Sequence, residues 1–227
     1  MADFKTHLSA AAMTGAGLST AGWYLGAWTL SEALALTGLV ALGGILPDID
    51  ADRSHAVGLI FTMLAVIAMV AAVIALTPHM TLASLASTGI GVYTGVRYIA
   101  SGLFRRLTVH RGVWHSLLAA LASGFSISAL GYHFFGSTAE QAWLQGAALC
   151  LGVVIHLLLD ECYSVDMVGQ RMKRSFGTAL KLFDYQSPFS AMAMGVVIVC
   201  LLPWLPPWNG LFTLVDLLQG LWQYRWR

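Results

Sequence analysis

The 21 residues from Ala56 to Leu76 contain no charged side chain. As a helix they are long enough to cross about 30 Å of hydrocarbon. Where no water is present, every backbone polar group needs a partner within the chain, and a continuous apolar run meets that need as an α-helix. Composition agrees, with 58% of the chain hydrophobic and 10% charged. These values describe a polytopic membrane protein rather than one or two soluble domains.

Six further segments read as membrane helices. Leu8 to Trp28 is rich in Ala, Gly, Ser and Thr, which suits a helix packed closely among others. Ala33 to Leu46 ends at Pro47, and Thr81 to Ala100 carries several glycines and Arg97. Val113 to Phe135, Ala142 to Tyr163 and Phe189 to Leu202 complete the set. After a proline and tryptophan cluster from Pro203 to Trp208, the tail from Leu211 to Trp222 suits the membrane interface. We therefore expect an all-α transmembrane bundle of about six to seven spans in one integral-membrane domain, residues 1–227. Within it we expect a loop at 164–188, cytoplasmic or a short amphipathic helix, and a C-terminal span with its tail at 189–227.

Basic residues set the expected orientation. With a cytoplasmic N-terminus, the inner connections carry Lys5, Arg53, Arg97, Arg105, Arg106, Arg111, Arg171, Lys173, Arg174 and Lys181. The outer ones, around Glu32, His79, Ser137 and Pro206, carry no Lys or Arg. A net charge of +1 leaves no basic surface for nucleic acid. Cys150, Cys162 and Cys200 are spaced too widely and irregularly for a disulfide framework, and read as small buried hydrophobes. No cleavable signal peptide is expected at the N-terminus.

Under that topology four polar clusters fall on one side of the membrane. His7 stands at the start of the first helix. Leu46-Pro47-Asp48-Ile49-Asp50-Ala51-Asp52 follows the second; in an extended turn Asp48 and Asp50 share a face and can reach one cation. His110-Arg111-Gly112-Val113-Trp114-His115-Ser116 packs two histidines, an arginine and a hydroxyl into seven residues. Arg111 and His115 share a helix face if the helix begins near Arg111. Finally, Gly152, His156 and Asp160 recur every fourth residue within an apolar helix, where an ionisable group is costly and normally faces a polar interior. Such a histidine–aspartate pair places two ligands on one metal, or a histidine with its orienting carboxylate.

Together His7, Asp48, Asp50, His110, His115, His156 and Asp160 offer more ligands than one tetrahedral zinc needs. They suit two divalent ions, with zinc favoured and manganese or iron possible. Paired metals of this kind hydrolyse phosphate esters. Arg111 has the planar fork that holds a phosphate or carboxylate oxygen.

The early histidine, L-P-D-I-D, H-R-G-x-x-H-S and G-x-x-x-H-x-x-x-D resemble the YdjM/YbcI-like family, over roughly residues 1–165. That resemblance implies a bacterial inner-membrane, multi-pass, metal-dependent hydrolase. Where relatives continue D-I-D with His-Pro, this chain has Ala51-Asp52, with His55 three residues further on. The leading expectation is hydrolysis of a phospholipid or lipid-linked phosphate ester by a metal-activated water at the cytoplasmic face. Arg111, Asp50 and His115 are the catalytic candidates. A metal-ion or proton transporter built on the same cluster is the alternative; a haem protein with paired axial histidines and a purely structural membrane protein are further readings. Lipid bilayer and a lipid-like substrate are the expected partners, and the oligomeric state stays open.

Overall fold

In the computed structural model, the residues described are 3–50, 55–103, 112–163, 165–166, 171–172, 180–185 and 187–224, with the backbone alone at 50, 55, 56, 71, 75, 165, 166, 171, 172, 218 and 221–224. They form eight α-helices: α1 Phe4–Tyr24, α2 Leu30–Gly43, α3 His55–Leu76, α4 Leu82–Thr94, α5 Leu117–Phe134, α6 Ala139–Cys162, α7 Pro188–Leu201 and α8 Trp208–Tyr224. Each of the seven apolar segments read from the sequence corresponds to one helix, and the tail supplies an eighth. The expected all-α class is the observed one. A two-residue antiparallel pairing of Val165–Asp166 with Arg171–Met172 lies where the sequence left a loop or short helix.

Three helical stretches, Val57–Ile74, Leu117–Phe134 and Ala139–Cys162, are long and apolar enough to cross a membrane. The pair Pro188–Trp204 and Trp208–Leu217, bent by 90°, makes a fourth if it counts as one span. That is fewer than the six to seven read from hydropathy, and length is one reason. The 14 residues of α2 extend only about 21 Å, short of the hydrocarbon thickness.

The chain divides into two compact units, residues 1–47 with 113–227, and residues 48–112. In the first, α6 is the central element and packs against α1, α2, α5 and α8, while α7 packs on α5. Small residues make these contacts close, as expected where packing rather than expulsion of water joins the helices. At the α2–α6 contact, a Cβ on Gly152 would overlap the Val40 carbonyl, and one on Gly43 the Leu149 carbonyl. Only a residue without a side chain lets the two backbones meet there. Around this contact Ala11, Leu36, Val40 and Ala148 form one core cluster, and Ala120, Val153 and Leu157 another.

The far ends of the same two helices are tied as well. Thr29 with Glu32 and Thr138 with Gln141 each form a reciprocal capping box, and the Gln141 amide donates to Glu32. Helices α2 and α6 thus share a register from their N-termini to the Gly43–Gly152 contact. In the second unit α3 packs on α4, which continues into a π-helical turn, Gly95–Ala100, with Arg97 over the Tyr98 ring. Of the three free cysteines, Cys150 is half-buried, whereas Cys162 and Cys200 are exposed on the protein surface, contrary to the buried reading.

Candidate metal centre

Four helix termini of the first unit meet at one end: the start of α1, the end of α2, the start of α5 and the last turns of α6. Each brings at least one polar group, and α6 brings two. Asp3 caps α1 by accepting hydrogen bonds from the Thr6 amide at 2.9 Å and the Thr6 hydroxyl at 2.5 Å. That cap fixes the turn carrying His7, whose own amide donates to the Asp3 carbonyl. His7 is only 2% exposed, so it is no solvated terminal residue. It faces α6, where His156 and Asp160 are 0% and 4% exposed.

The His7 and His156 rings stack with centroids 3.7 Å apart, and His115 meets His156 edge-on at 5.5 Å. His7 Nε2 is 3.3 Å from Asp160 Oδ1, and His156 Nε2 is 3.8 Å from Asp160 Oδ2. A charge-assisted hydrogen bond would close to about 2.7–2.9 Å. Two ligands each about 2.0–2.1 Å from one tetrahedral zinc sit about 3.4 Å apart. One possible ligand atom from each residue falls within 4.8 Å of the others, so the three could hold a metal ion. Asp160 Oδ1 is buried without a hydrogen-bond partner among the described residues, as an oxygen meant for a cation would be.

The protonation pattern of His156 follows from its other nitrogen. Nδ1 lies 2.7 Å from the Gly44 carbonyl, which can only accept, so Nδ1 carries the proton. Nε2 therefore presents a lone pair toward a carboxylate oxygen. A proton or a metal ion between Nε2 and the carboxylate would satisfy both, and a backbone carbonyl on the far nitrogen is the usual orienting partner of a metal-binding histidine. Gly44 caps the C-terminus of α2, where carbonyls lack intrahelical partners, so the pairing satisfies both groups. The sequence signal for this partner was the Gly43-Gly44 pair ending a helix before Pro47, and it went unread.

The start of α5 departs from expectation. Ser116 is the N-cap: its hydroxyl accepts from the Ala119 amide at 3.3 Å and donates to the Val113 carbonyl at 2.5 Å. The helix thus begins at Leu117 rather than at Val113, and His115 (4% exposed) precedes it. His110 and Arg111 themselves lie outside the described residues. Asp48 and Asp50 occupy a 3-10 turn, Pro47–Asp50, not an extended one. Asp48 opens the second unit, and for Asp50 only the backbone is described.

Three candidate ligands, two imidazole nitrogens and one carboxylate, are thus brought together at the helix ends. The family described as YdjM inner membrane protein matches residues 1–172, which contain all of them. The chain belongs to the YdjM inner membrane protein family. No curated protein and no solved structure matches the chain significantly. The family match and the apolar helices together make this a membrane protein whose environment is the lipid bilayer.

Proposed function

We propose that this protein is a multi-pass, membrane-embedded, metal-dependent hydrolase acting on a phospholipid or lipid-linked phosphate ester at the cytoplasmic face. The observation that carries the proposal is the buried convergence of His7, His156 and Asp160 at one end of the helices. Two histidines and one carboxylate are a recurrent ligand set for catalytic zinc, since three protein ligands leave a position open. A divalent ion supplies Lewis-acid activation of water and of a phosphoryl oxygen. His7 and His156 bind through Nε2, Asp160 through its carboxylate, and the Gly44 carbonyl holds His156 in the required tautomer.

His115, edge-on to His156, is placed to hold a second ion or to accept a proton. On the strength of the sequence motifs alone, His110, Asp48 and Asp50 are further candidate ligands for a second ion, Asp50 and His115 are catalytic candidates, and Arg111 is the clamp for the substrate anion. Zinc suits this nitrogen and oxygen set, as do manganese and iron. Headgroup phosphates lie at the depth where transmembrane helices end, which favours a lipid phosphate as substrate. Transport of the ion would need ligands near the membrane midplane with access from both sides, whereas these gather at helix ends.

The test is metal content of detergent-purified protein by mass spectrometry, followed by phosphate release from short-chain phospholipids. One or two ions per chain are expected, lost together with phosphate release in His7→Ala and Asp160→Ala. Folded protein that takes up no added zinc, manganese or iron would overturn the reading. Metal-dependent ion flux in proteoliposomes without phosphate release would favour transport.

A further inference from the structure

The segment Leu180–Tyr185 lies beyond the family-matched stretch, yet it docks on the start of α5. The amides of Leu117 and Leu118 donate to the carbonyls of Lys181 and Leu182, both at 3.0 Å. These are two of the N–H groups that a helix start leaves without an acceptor of its own. Ser116 Oγ accepts from the next amide, Ala119. The first turn of α5 is thereby fixed half by its own cap and half by a segment some sixty residues later.

That segment is itself braced. Lys181 Nζ is 3.0 Å from Asp184 Oδ1, and Asp184 is 4% exposed. A carboxylate so far out of water is costly unless a cation and hydrogen bonds meet it, so the pair favours one conformation of the segment over an undocked one. His115 immediately precedes the Ser116 cap, and its ring reaches His156. Whatever fixes the first residues of α5 also fixes where that imidazole sits.

We propose that Leu180–Tyr185 is a strap that positions His115 at the metal centre, with Asp184 as the positioning residue that keeps the strap docked. The role rests on the metal-centre reading above, with His115 as a ligand. It assigns a part in the site to a region outside the family-matched stretch.

The test is titration of the full-length, detergent-purified protein with cobalt(II), followed by its visible absorption, which reports the ligands around the ion. Leu117→Pro removes the donor to Lys181 while keeping a residue favoured at the first helical position. The extended backbone of Ser116 suits the position before a proline. Leu117→Ala loses comparable packing but keeps the N–H, and Asp184→Ala releases the strap from the other side. Leu117→Pro and Asp184→Ala should each weaken cobalt binding about tenfold, the usual effect of losing an outer partner. Both should shift the spectrum toward that of His115→Ala, with Leu117→Ala near wild type and Asp184→Glu restoring the wild-type spectrum. In Asp184→Ala, hydrogen exchange at the Leu117 and Leu118 amides should quicken. Wild-type affinity and spectrum in both Leu117→Pro and Asp184→Ala would overturn the strap and leave the metal centre standing. A His115→Ala spectrum identical to wild type would overturn it also. Wild-type protein that binds no cobalt would remove the metal centre itself, and the strap's role with it.

Discussion

His156 Nδ1 donates to the Gly44 carbonyl, 2.7 Å away across the α2–α6 contact. The bond exists because Gly43 and Gly152 let the two backbones approach, and a side chain at either would overlap the other helix. Helix packing, histidine tautomer and ligand geometry are therefore one linked arrangement.

Gly152→Ala should break that link. Its Cβ has nowhere to go but the Val40 carbonyl, so α2 must shift, at a cost of about 1–3 kcal/mol typical of overpacking. With Gly44 displaced, zinc affinity should fall about 10- to 100-fold. Denaturant unfolding in micelles and calorimetric zinc titration measure the two effects. Gly17→Ala, where the new methyl meets nothing within 4 Å, should be neutral or stabilising by up to about 1 kcal/mol.

Asp160→Asn should separate stability from function. Without metal, the carboxylate faces the lone pair of His156 Nε2 at 3.8 Å, whereas an amide can turn a donor toward it. The variant should unfold at a higher temperature than wild type in the presence of chelator. On adding zinc the order should reverse, because only the wild type gains the stabilisation of a bound ion. Thermal unfolding with and without zinc reads both. A wild type that stays the more stable in chelator would argue against the two-acceptor geometry.

Asp3 should matter to the metal through His7 alone. Asp3→Ala removes the α1 cap and should lower zinc affinity several-fold, while Asp3→Asn, which caps as well, should not at neutral pH. Hydrogen bonds from Thr6 hold the Asp3 carboxyl below the ordinary carboxylate value. The depressed folded value means the cap's contribution is fully present above the ordinary carboxylate range. It is lost as pH falls through the lowered one. Wild type and Asp3→Asn should accordingly diverge only in acid, as hydrogen exchange at the amides of the N-terminal turn would record.

Ser116→Ala should destabilise the protein by about 1 kcal/mol, the usual cost of an N-cap hydroxyl. Ser116→Asp should recover most of it. Metal content should persist in both variants, since the hydroxyl is committed to Val113 and Ala119. Mass spectrometry of the purified variants checks this, and metal loss in Ser116→Asp would give the serine a place among the ligands instead.

The helices and three of the candidate ligands were legible because each depends on a local pattern. An uncharged run such as Ala56 to Leu76 has few ways to satisfy its backbone in lipid. A histidine and an aspartate four residues apart share a helix face whatever surrounds them, so His156 and Asp160 could be paired from spacing alone. Where local rules compete, the sequence was misread. Asp48 and Asp50 alternate as in an extended chain, but Pro47 begins a 3-10 turn. Hydropathy starts the α5 segment at Val113, whereas the capping hydroxyl of Ser116 sets the first helical residue at Leu117.

The sequence by itself determined which segments are helical and which residues carry metal-binding chemistry, since both follow from side chains and their near neighbours. Only the tertiary structure decided that His7 stacks on His156, that the Gly44 carbonyl selects its tautomer, and that Lys181 and Leu182 hold the start of α5. Those relationships join residues far apart in the chain. They arise because glycines allow close backbone approach and because helix ends leave polar groups that must find partners elsewhere.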